Sequence, residues 1–421
     1  MSSKIRGPKG APDGVPPRSM LAERVTERAL ELFRLWGFRR IETPVFEHTE
    51  LFERGLAPGS DVVTKQMFTF EDKGGRSLTL RPDMTAPVVR AILEHNLDRE
   101  GVPVKLYYAA SIFRHERPQA GRYRQFNQVG IEAVGSPGPG IDAEVILLAR
   151  EAFMGVGLDG VELLLNTVGD ENCRPAYMPK LTEFLRSHQD ELCGDCRRKI
   201  DTNPLRTFDC KVDHDREVLS AAPVISDYLC AGCEEHYKSV KELLVEGEAK
   251  FTEEPRLVRG LDYYTRTAFE FVSGDLGAQN AVGAGGRYDG LAEQLGGPSL
   301  PGIGFGLGVE RIVLALEEQG RQVAAGPDLF LISVEEETRA EVRKLAGRLR
   351  AEGIACDFDT DGRHLKGQFK AADRSGARYS VILGPRELES GNYRLKNMAS
   401  GEENAMAFPD LLSTLASNLG R

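Results

Sequence analysis

Disulfide scaffolds and membrane spans are the first classes that this sequence of 421 residues argues against. Its seven cysteines are too few to build a disulfide framework in a chain of this length. No stretch approaches the ~20 consecutive apolar residues of a membrane span. Residues 1–17 are rich in glycine and proline and lack the apolar stretch of a signal peptide. We therefore expect a cytoplasmic protein that does not enter a membrane.

An excess of positive charge is also missing. The 54 lysines and arginines are outnumbered by 64 aspartates and glutamates, which gives a formal net charge of −10. Phosphate-driven affinity grows with the number of basic contacts, so the net charge argues against a protein that coats nucleic acid through bulk positive charge. A local basic path stays open. With 41% hydrophobic and 28% charged residues, a chain this long exceeds one ordinary core and should form two or three domains.

The order of helical and strand patterns predicts the fold class. The first part reads as an α+β catalytic domain, with a mostly antiparallel sheet flanked by helices, in residues 1–169 and 254–325. Residues 170–253 turn to cysteines, charges and helical spacing, which indicates a helical inserted subdomain. The expected elements are helices at 19–36, 142–154 and 310–318 and strands at 67–70, 77–80, 105–113, 126–134, 161–167, 257–272, 281–283 and 302–308.

Residues 326–421 show a different pattern. Strands at 329–334, 355–358 and 379–383 alternate with helices at 339–351, 365–375 and 411–419. Such alternation is typical of a small α/β domain around a largely parallel sheet. The segment 319–326 is the predicted linker in front of it.

A strand, a short basic loop and a returning strand carry the strongest chemical signal. Arg114, Glu116, Arg122 and Phe126 fall within 13 residues. A hairpin can bring such arginines and an aromatic face together, and this set suits phosphate charge and a purine ring. The alternative is an exposed hairpin with solvated charges.

Two further segments are informative when they are considered together with that hairpin. In residues 302–308 glycine occupies every other position, so one face of a strand has no side chains, and a flat ligand or another backbone could lie there. Arg311 follows at the start of a helix, although close packing of strand on helix explains the glycines equally well. Residues 37–46 form a helix end followed by a strand interrupted by Pro44, which alone is only a junction.

Taken in order, these three segments resemble the signature motifs of class II aminoacyl-tRNA synthetases. The resemblance implies that Arg114 and Arg311 bind the ATP phosphates and that Phe126 stacks on adenine. Glu116 and Arg122 would lie in the adenine and γ-phosphate region. Mg²⁺ would enter with ATP as its substrate complex.

Other segments resemble the histidine-specific members of that family, namely residues 257–264, 285–290 and 81–85. The implied histidine-binding residues are Asp83, Thr85, Gln128, Glu132, Arg259, Tyr263, Tyr264 and Tyr288. Their chemistry agrees, because carboxylates pair with an ammonium group and tyrosines can flank an imidazole. The family usually has glutamate and glycine where this chain has Asp83 and Met84, which puts the ammonium contact in question.

Arg259 and Arg114 are the expected catalytic residues. A guanidinium beside the α-phosphate can neutralise the charge that develops as the substrate carboxylate attacks and pyrophosphate leaves. The plain alternative for Arg259 is an ordinary ion pair with a neighbour such as Asp262.

The resemblance extends through residues 326–421, which look like an anticodon-binding module. It implies a histidine–tRNA ligase whose partners are L-histidine, ATP and the tRNA for histidine, and a homodimer joined through residues 37–46. Two other functions compete. One is the catalytically silent, histidine-sensing regulatory subunit of ATP phosphoribosyltransferase, which lacks the last domain and tends to lose the ATP-binding arginines. The other is an amide ligase that activates a carboxylate without tRNA, which the last domain disfavours.

Two pairs of cysteines lie in the insertion. Cys193 with Cys196 and Cys230 with Cys233 have the local spacing of one four-thiolate structural zinc site, although the gap between the pairs is long. The alternative is free thiols in a reducing compartment. Zinc therefore stays a candidate and is not part of the expected active site.

Overall fold

The computed structural model describes residues 5–56, 62–259, 263–277, 280–321 and 326–419. The chain forms two compact units, one of residues 1–14 and 22–321 and the other of residues 15–21 and 322–421. Residues 322–325, half of the segment 319–326 that was predicted as a linker, lie outside the described residues. The segment 170–253, predicted as a subdomain, lies within the first unit.

The first unit contains both the sheet framework and the inserted helices. Its helices are α1 (Arg18–Leu35), of which residues 22–35 fall in this unit, and α2 (Thr49–Gly55), α3 (Thr85–Glu94), α4 (Pro139–Val156), α5 (Arg174–Ser187), α6 (Gly194–Thr202), α7 (Asp213–Leu219), α8 (Ala231–Glu246), α9 (Leu291–Gln294) and α10 (Val309–Glu318). Its strands are β1 (Arg39–Arg40), β2 (Phe46–His48), β3 (Phe68–Glu71), β4 (Ser77–Leu80), β5 (Val104–Phe113), β6 (Gln125–Val134), β7 (Val161–Thr167), β8 (Thr252–Glu253), β9 (Thr265–Ser273), β10 (Ala281–Arg287) and β11 (Gly302–Gly308).

An eight-stranded sheet forms the framework of this unit, in the order β1-β5-β6-β11-β10-β9-β7-β8. Strands β5 to β7 in that order pair antiparallel, and only the short edge strands β1 and β8 pair parallel. The prediction of a mostly antiparallel sheet is confirmed. Strands β5 and β6 are ten residues each and are joined by the predicted hairpin. Strand β6 lies between β5 and β11 in the sheet.

The segment 37–46 differs from its prediction as one strand interrupted by proline. Gly37, with φ of +79°, ends α1, and β1 then pairs with β5 in the large sheet. After Pro44, β2 pairs with β4 in a separate three-stranded sheet of order β2-β4-β3. Proline has no N–H to give to a ladder, so it marks the point where the chain leaves one sheet for the other.

The inserted helices α5, α6 and α7 pack around a small core of their own, which includes Tyr177, Leu181 and Ile200. Helix α8 then returns to the main framework. Its His236 Nε2 lies 2.8 Å from Asp142 Oδ2 on α4. The same carboxylate pairs with Arg287 of β10, whose side chain is fully buried. This buried ionic group fastens α8, α4 and β10 to one another.

The second unit has helices α11 (Arg339–Ala351), α12 (Leu365–Ser375), α13 (Pro385–Ser390) and α14 (Phe408–Leu419). Its strands are β12 (Leu329–Ser333), β13 (Cys356–Phe358), β14 (Tyr379–Leu383), β15 (Asn392–Asn397) and β16 (Glu403–Ala407), in the order β13-β12-β14-β15-β16. The prediction of a largely parallel sheet needs correction, because β15 and β16 pair antiparallel. Leu395 is the one buried residue of these two strands, so the hydrophobic pattern gave no sign of them.

Two apolar cores enclose this second sheet. Leu329 and Leu331 of β12 pack on one side with α11 and α14, while Phe330 and Ile332 pack on the other side with residues of α12. This alternation follows from the two-residue period of a strand. Among the residues that the structure describes, no helix of either unit has both the length and the apolar character needed to cross a bilayer.

Candidate active site

The hairpin between β5 and β6 brings together the residues predicted for ATP. The Arg114 guanidinium lies over the Phe126 ring, 5.6 Å from its centroid, and Arg114 Nε donates to the Pro82 carbonyl at 2.8 Å. Glu116 forms an ion pair with Arg122. Burial lowers the pKa of Arg114, and the Asp83 carboxylate opposes that effect. A positive, partly desolvated surface next to an aromatic face is therefore in place.

Glu132 lies at the buried end of β6 and has two hydroxyl donors. Thr85 Oγ1 donates to its Oε1 at 2.8 Å, and the Tyr288 hydroxyl donates to its Oε2. Only 1% of the residue is exposed. Burial raises the pKa of Glu132 to about 8, while the hydrogen bond from Tyr288 opposes the rise and the charge of Asp83 adds to it. A cationic ligand group would restore the ionised carboxylate.

Asp83 is held by the helix that follows it. Its Oδ2 accepts from the backbone N–H of Thr85 at 3.1 Å and of Ala86 at 3.4 Å, as an N-terminal cap of α3. Burial raises its pKa, and the Arg114 charge opposes this. Met84 is buried in the adjacent core. The shorter aspartate is thus partly engaged by backbone donors, which leaves Glu132 as the better placed carboxylate for a ligand ammonium.

Three tyrosines border Glu132. The Tyr263 ring lies 4.7 Å from that of Tyr264 and 5.8 Å from that of Tyr288, centroid to centroid. Sequence reasoning missed a fourth, Tyr108 of β5, whose hydroxyl is 2.5 Å from where a Cβ of Gly130 would stand. Tyr108 and Gly130 are cross-strand partners, and a tyrosine opposite a glycine is the signal that could have revealed it.

The glycines of β11 leave room for side chains of this chain rather than for a flat ligand. A Cβ on Gly304 would lie 2.0 Å from Glu132 Oε2, and one on Gly306 would lie 1.7 Å from Gln128 Nε2. The expectation of an open face that takes a ligand directly is corrected accordingly. The glycines instead allow two predicted histidine-binding residues of β6 to lie flat across the neighbouring strand.

This packing yields a matched pair of variants. Gly304→Ala should weaken histidine binding about tenfold or more, since its Cβ would also lie 2.5 Å from the Ile131 carbonyl and overpacking costs about 1–3 kcal/mol. Gly308→Ala is the control, because its nearest atoms lie 3.6 Å away on the flexible Arg311 side chain. Calorimetric titration with histidine compares them, and equal affinities in both variants would contradict the assigned role.

Arg259 pairs with Glu270 of β9, a residue that sequence reasoning missed. Although burial opposes it, the Glu270 carboxylate raises the pKa of Arg259. Arg206, in the 3-10 turn Pro204–Asp209 of the insertion, donates to the Arg259 carbonyl at 2.7 Å. Asp262, the predicted alternative partner, lies with residues 260–261 outside the described residues.

Arg311 stands at the other end of the site. Its Nε donates to the Ala281 carbonyl of β10. Burial lowers its pKa, the charge of Arg122 acts in the same direction, and that of Glu270 opposes them. A Cβ on Gly121, the residue before Arg122, would lie 3.8 Å from Arg311 Cγ, so the hairpin and the first turn of α10 are in contact. Arginines placed on these two segments can bind one polyanionic ligand together.

Three buried polar atoms of the predicted histidine-binding residues lack a hydrogen-bond partner within the described part of the chain. These are Gln128 Oε1, Arg259 Nε and the Tyr263 hydroxyl. An unpaired buried donor or acceptor costs about 1–3 kcal/mol, so such atoms indicate places where a ligand group is received. All three belong to residues predicted to bind histidine.

The four cysteines predicted to share one zinc site are not together. Cys193 and Cys196 group with Cys210 and Asp215, whereas Cys230 and Cys233 group with Asp170 and Cys173. The single four-thiolate site is therefore wrong. The long gap between the pairs reflects two separate clusters, each completed by residues outside the pairs.

Comparison with known proteins identifies the family of the chain. The family profile described as histidyl-tRNA synthetase matches residues 10–170 and 179–312, and an anticodon-binding domain profile matches residues 328–418. The chain belongs to the histidyl-tRNA synthetase family. The matched segments include the hairpin, β11 and the residues around Glu132.

Curated relatives match over nearly their full length. The histidine–tRNA ligase of Halothermothrix orenii is 45% identical over 413 residues, covering 98% of this chain and 99% of the relative. That of Saccharopolyspora erythraea is 48% identical over 415 residues, covering 98% of both. The predicted membership of this enzyme family is confirmed.

Solved structures agree on the fold. Apo histidyl-tRNA synthetase of S. aureus superposes with a TM-score of 0.77 at 37% identity, covering 98% of this chain and all of the other. A Bacillus halodurans protein described as ATP phosphoribosyltransferase regulatory subunit/histidyl-tRNA synthetase has a TM-score of 0.66 at 24% identity, covering 91% of this chain and all of the other, and it shows the fold alone. The predicted fold class is confirmed, and the regulatory alternative is not better supported than the enzyme.

Proposed function

We propose that this chain activates L-histidine with ATP, forming histidyl-adenylate and pyrophosphate, and then transfers histidine to the 3′-terminal ribose of its tRNA. The observation that carries the proposal is one continuous site. Buried Glu132 with its tyrosines lies at one end of β6, and Arg114 over Phe126 lies at the other. An amino acid and a nucleotide can thus meet along a single strand.

Histidine recognition falls to the buried end. Glu132 pairs with a cationic group of the substrate, and Thr85 and Tyr288 hold its carboxylate in place by donating to it. Gln128 offers its unpartnered Oε1 as an acceptor. Tyr263 and Tyr264 supply the aromatic walls around the imidazole. Asp83 adds negative charge from the helix cap.

ATP binding falls to the hairpin end. Phe126 stacks on adenine, and the guanidinium groups of Arg114, Arg122 and Arg311 face the phosphates, with Glu116 fixing Arg122. Mg²⁺ belongs to the substrate as its ATP complex. Bending of the triphosphate would bring the α-phosphate toward the histidine carboxylate.

The chemical step needs charge compensation more than a base. The histidine carboxylate attacks the α-phosphate, and negative charge grows on the phosphoryl oxygens as pyrophosphate leaves. Arg259 and Arg114 act on this charge from fixed positions, because Glu270 holds one guanidinium and the Pro82 carbonyl the other. Fixed donors need no reorganisation as the reaction proceeds.

Histidine-dependent exchange of pyrophosphate into ATP tests the proposal. Exchange that requires both histidine and the hairpin arginines supports it. Histidine binding without any exchange would replace it with the regulatory function. Because its tRNA serves translation, a cytoplasmic location remains our prediction.

The second unit is assigned to tRNA. Deleting residues 326–421 should leave pyrophosphate exchange within about threefold of the full chain, yet lower the rate of aminoacylation by tenfold or more through loss of tRNA contacts. Parallel assays on both proteins at subsaturating tRNA measure the difference. An equal loss of both activities would show that the unit serves the catalytic core.

The homodimer is proposed through the three-stranded sheet. Val45, Phe46 and Phe70 are exposed large hydrophobics there, and the rings of the two phenylalanines lie 6.3 Å apart. Exposed apolar groups that cluster in this way are typical of interfaces. A second copy of the chain is the occupant that the predicted interface at 37–46 implies.

Phe46→Asp should therefore turn the dimer into a monomer, because a charge would have to be buried against an apolar partner surface. Sedimentation velocity at micromolar concentration measures the mass. Met154→Asp, which also replaces an exposed apolar side chain but lies on α4, should leave the dimer unchanged. A Phe46→Asp protein that still sediments as a dimer would move the interface elsewhere.

A further inference from the structure

Six of the seven cysteines gather in two clusters of the same composition. The neck cluster consists of Asp170, Cys173, Cys230 and Cys233, and the inner cluster consists of Cys193, Cys196, Cys210 and Asp215. Each has three thiols and one carboxylate. Cys356, in the second unit, is the remaining cysteine and belongs to neither cluster.

The spacing within each cluster fits a tetrahedral metal. The four potential ligand atoms lie within 4.8 Å of one another. Zinc–sulfur bonds of about 2.3 Å at tetrahedral angles place sulfur atoms about 3.8 Å apart. Cys193 Sγ and Cys210 Sγ are already 3.9 Å apart. Small side-chain rotations would complete the coordination.

Both clusters are also built alike. The pairs Cys193–Cys196 and Cys230–Cys233 each begin at the N-cap of a helix, α6 and α8, so the second cysteine of each lies in the first helical turn. Backbone N–H groups point at the sulfurs, since Cys196 N donates to Cys193 Sγ at 3.4 Å and Cys230 N donates to Cys173 Sγ at 3.2 Å. Such donors stabilise thiolates and fix ligand orientation.

The carboxylates are oriented in the same manner. Asp215, only 1% exposed, accepts from Cys193 N through both oxygens, at 3.1 and 3.0 Å. Asp170 accepts from Asn172 N at 2.9 Å and lies 3.5 Å from the Arg266 guanidinium. Their buried or half-buried positions beside thiols are those of ligands already held for an ion.

We propose that each cluster binds one zinc ion through three thiolates and one carboxylate. Zinc binding would displace the thiol protons, and the closed set of four protein ligands makes each site structural. Disulfides account for the clusters less well. One disulfide uses two thiols, so each cluster would keep an odd cysteine, and the inner cluster would keep a buried carboxylate beside it.

The two ions would have different mechanical roles. The neck cluster joins the start of the insertion to its last helix, and thereby closes the whole loop of residues 174–229. A cross-link that closes a long loop stabilises chiefly by restricting the unfolded chain. The inner cluster includes Cys210, which directly follows the turn from which Arg206 reaches the Arg259 carbonyl. Zinc bound in the inner cluster would restrict the motion of this turn and thereby stabilise the hydrogen bond from Arg206 to the Arg259 carbonyl.

Metal analysis of the full chain, purified without chelator in the presence of reductant, tests the proposal independently of the proposed function. We expect two equivalents of zinc per chain. Cys230→Ser should lose the zinc of the neck cluster, and Cys210→Ser should lose the zinc of the inner cluster. Each variant should therefore keep one equivalent. Cys356→Ser is the matched control and should keep two.

Replacement by Co²⁺ adds a readout of geometry, because cobalt bound tetrahedrally by thiolates absorbs strongly in the visible. Asp170→Asn and Asp215→Asn preserve shape and serve where a serine variant fails to fold. Each should lower the cobalt absorbance by about half at a cobalt concentration that saturates the wild type. Less than a tenth of an equivalent of zinc, before and after incubation with added zinc, would overturn the proposal. The wild type could instead bind one equivalent of zinc that only one of the two variants, Cys230→Ser or Cys210→Ser, abolishes. That result would overturn the proposal for the other cluster.

Discussion

Arg259→Ala should lower histidine-dependent pyrophosphate exchange by roughly 10²–10³-fold and leave the affinity for histidine within about threefold. The rate falls because the variant lacks the Arg259 guanidinium, a fixed donor that stabilises negative charge present only in the transition state. The side chain is anchored by Glu270, and its backbone carbonyl is anchored by Arg206. Exchange kinetics and calorimetric binding measure the two quantities separately.

Two further variants sharpen this test. Arg259→Lys keeps a positive charge but loses the planar fork, so it should recover only part of the activity. Arg321→Ala removes an exposed arginine paired with Asp159 and should change neither quantity. If Arg259→Ala instead lost histidine affinity with its turnover number intact, Arg259 would be a ground-state contact.

Glu132→Gln should weaken histidine binding by roughly 30-fold or more, because leaving one member of a buried charge pair unmatched costs about 2 kcal/mol or more. The glutamine keeps the size of the side chain and can still accept from Thr85. Titration calorimetry at pH 7 measures the affinity. Histidine binding to the wild type should also release protons, since a cationic group returns the carboxyl to its ionised form. An unchanged affinity would remove Glu132 from the binding site.

Glu132 should also affect how the free energy of unfolding depends on pH. The pKa of Glu132 is raised from 4.5 to about 8 in the folded chain. Its favourable contribution is therefore complete below pH 4.5 and is lost as the pH rises through 8, at up to about 1.4 kcal/mol per pH unit. Denaturant unfolding at pH 5.5 and 8.5 should show a smaller decline in Glu132→Gln. Equal declines would mean that another group dominates this range.

Much of the framework could be predicted from the sequence because its elements are strongly periodic. Strands β4, β7 and β11 and helices α11 and α12 have the bounds that the apolar spacing indicates. Helix α3 was missed although it is amphipathic, because Pro87 and the two valines that follow it favour other conformations than a helix. The hairpin of β15 and β16 was missed for a different reason, because Leu395 is the one buried residue of these two strands.

The residues of the candidate site were likewise predicted only in part. Residue types and order indicated the arginines, Phe126 and Glu132. Their partners Glu270 and Tyr108 come from distant parts of the chain and carry no local signal beyond a glycine opposite a tyrosine. The cysteine pairs were joined wrongly for the same reason, because spacing along the chain reports nothing of which cysteine a fold brings near.

Strand β6 carries Phe126, Gln128 and Glu132 at even-numbered positions, so their side chains leave the same face of the sheet. Six residues of extended backbone at about 3.3 Å each span roughly 20 Å. The distance between the proposed nucleotide end and the proposed amino-acid end is therefore set by a hydrogen-bonded strand that pairs on both sides, with β5 and β11. Such a strand has a fixed length, so it fixes the separation of the side chains that it carries. A substrate with a longer or shorter side chain than histidine could not be accommodated by sliding, because every side chain along the strand would have to move with it.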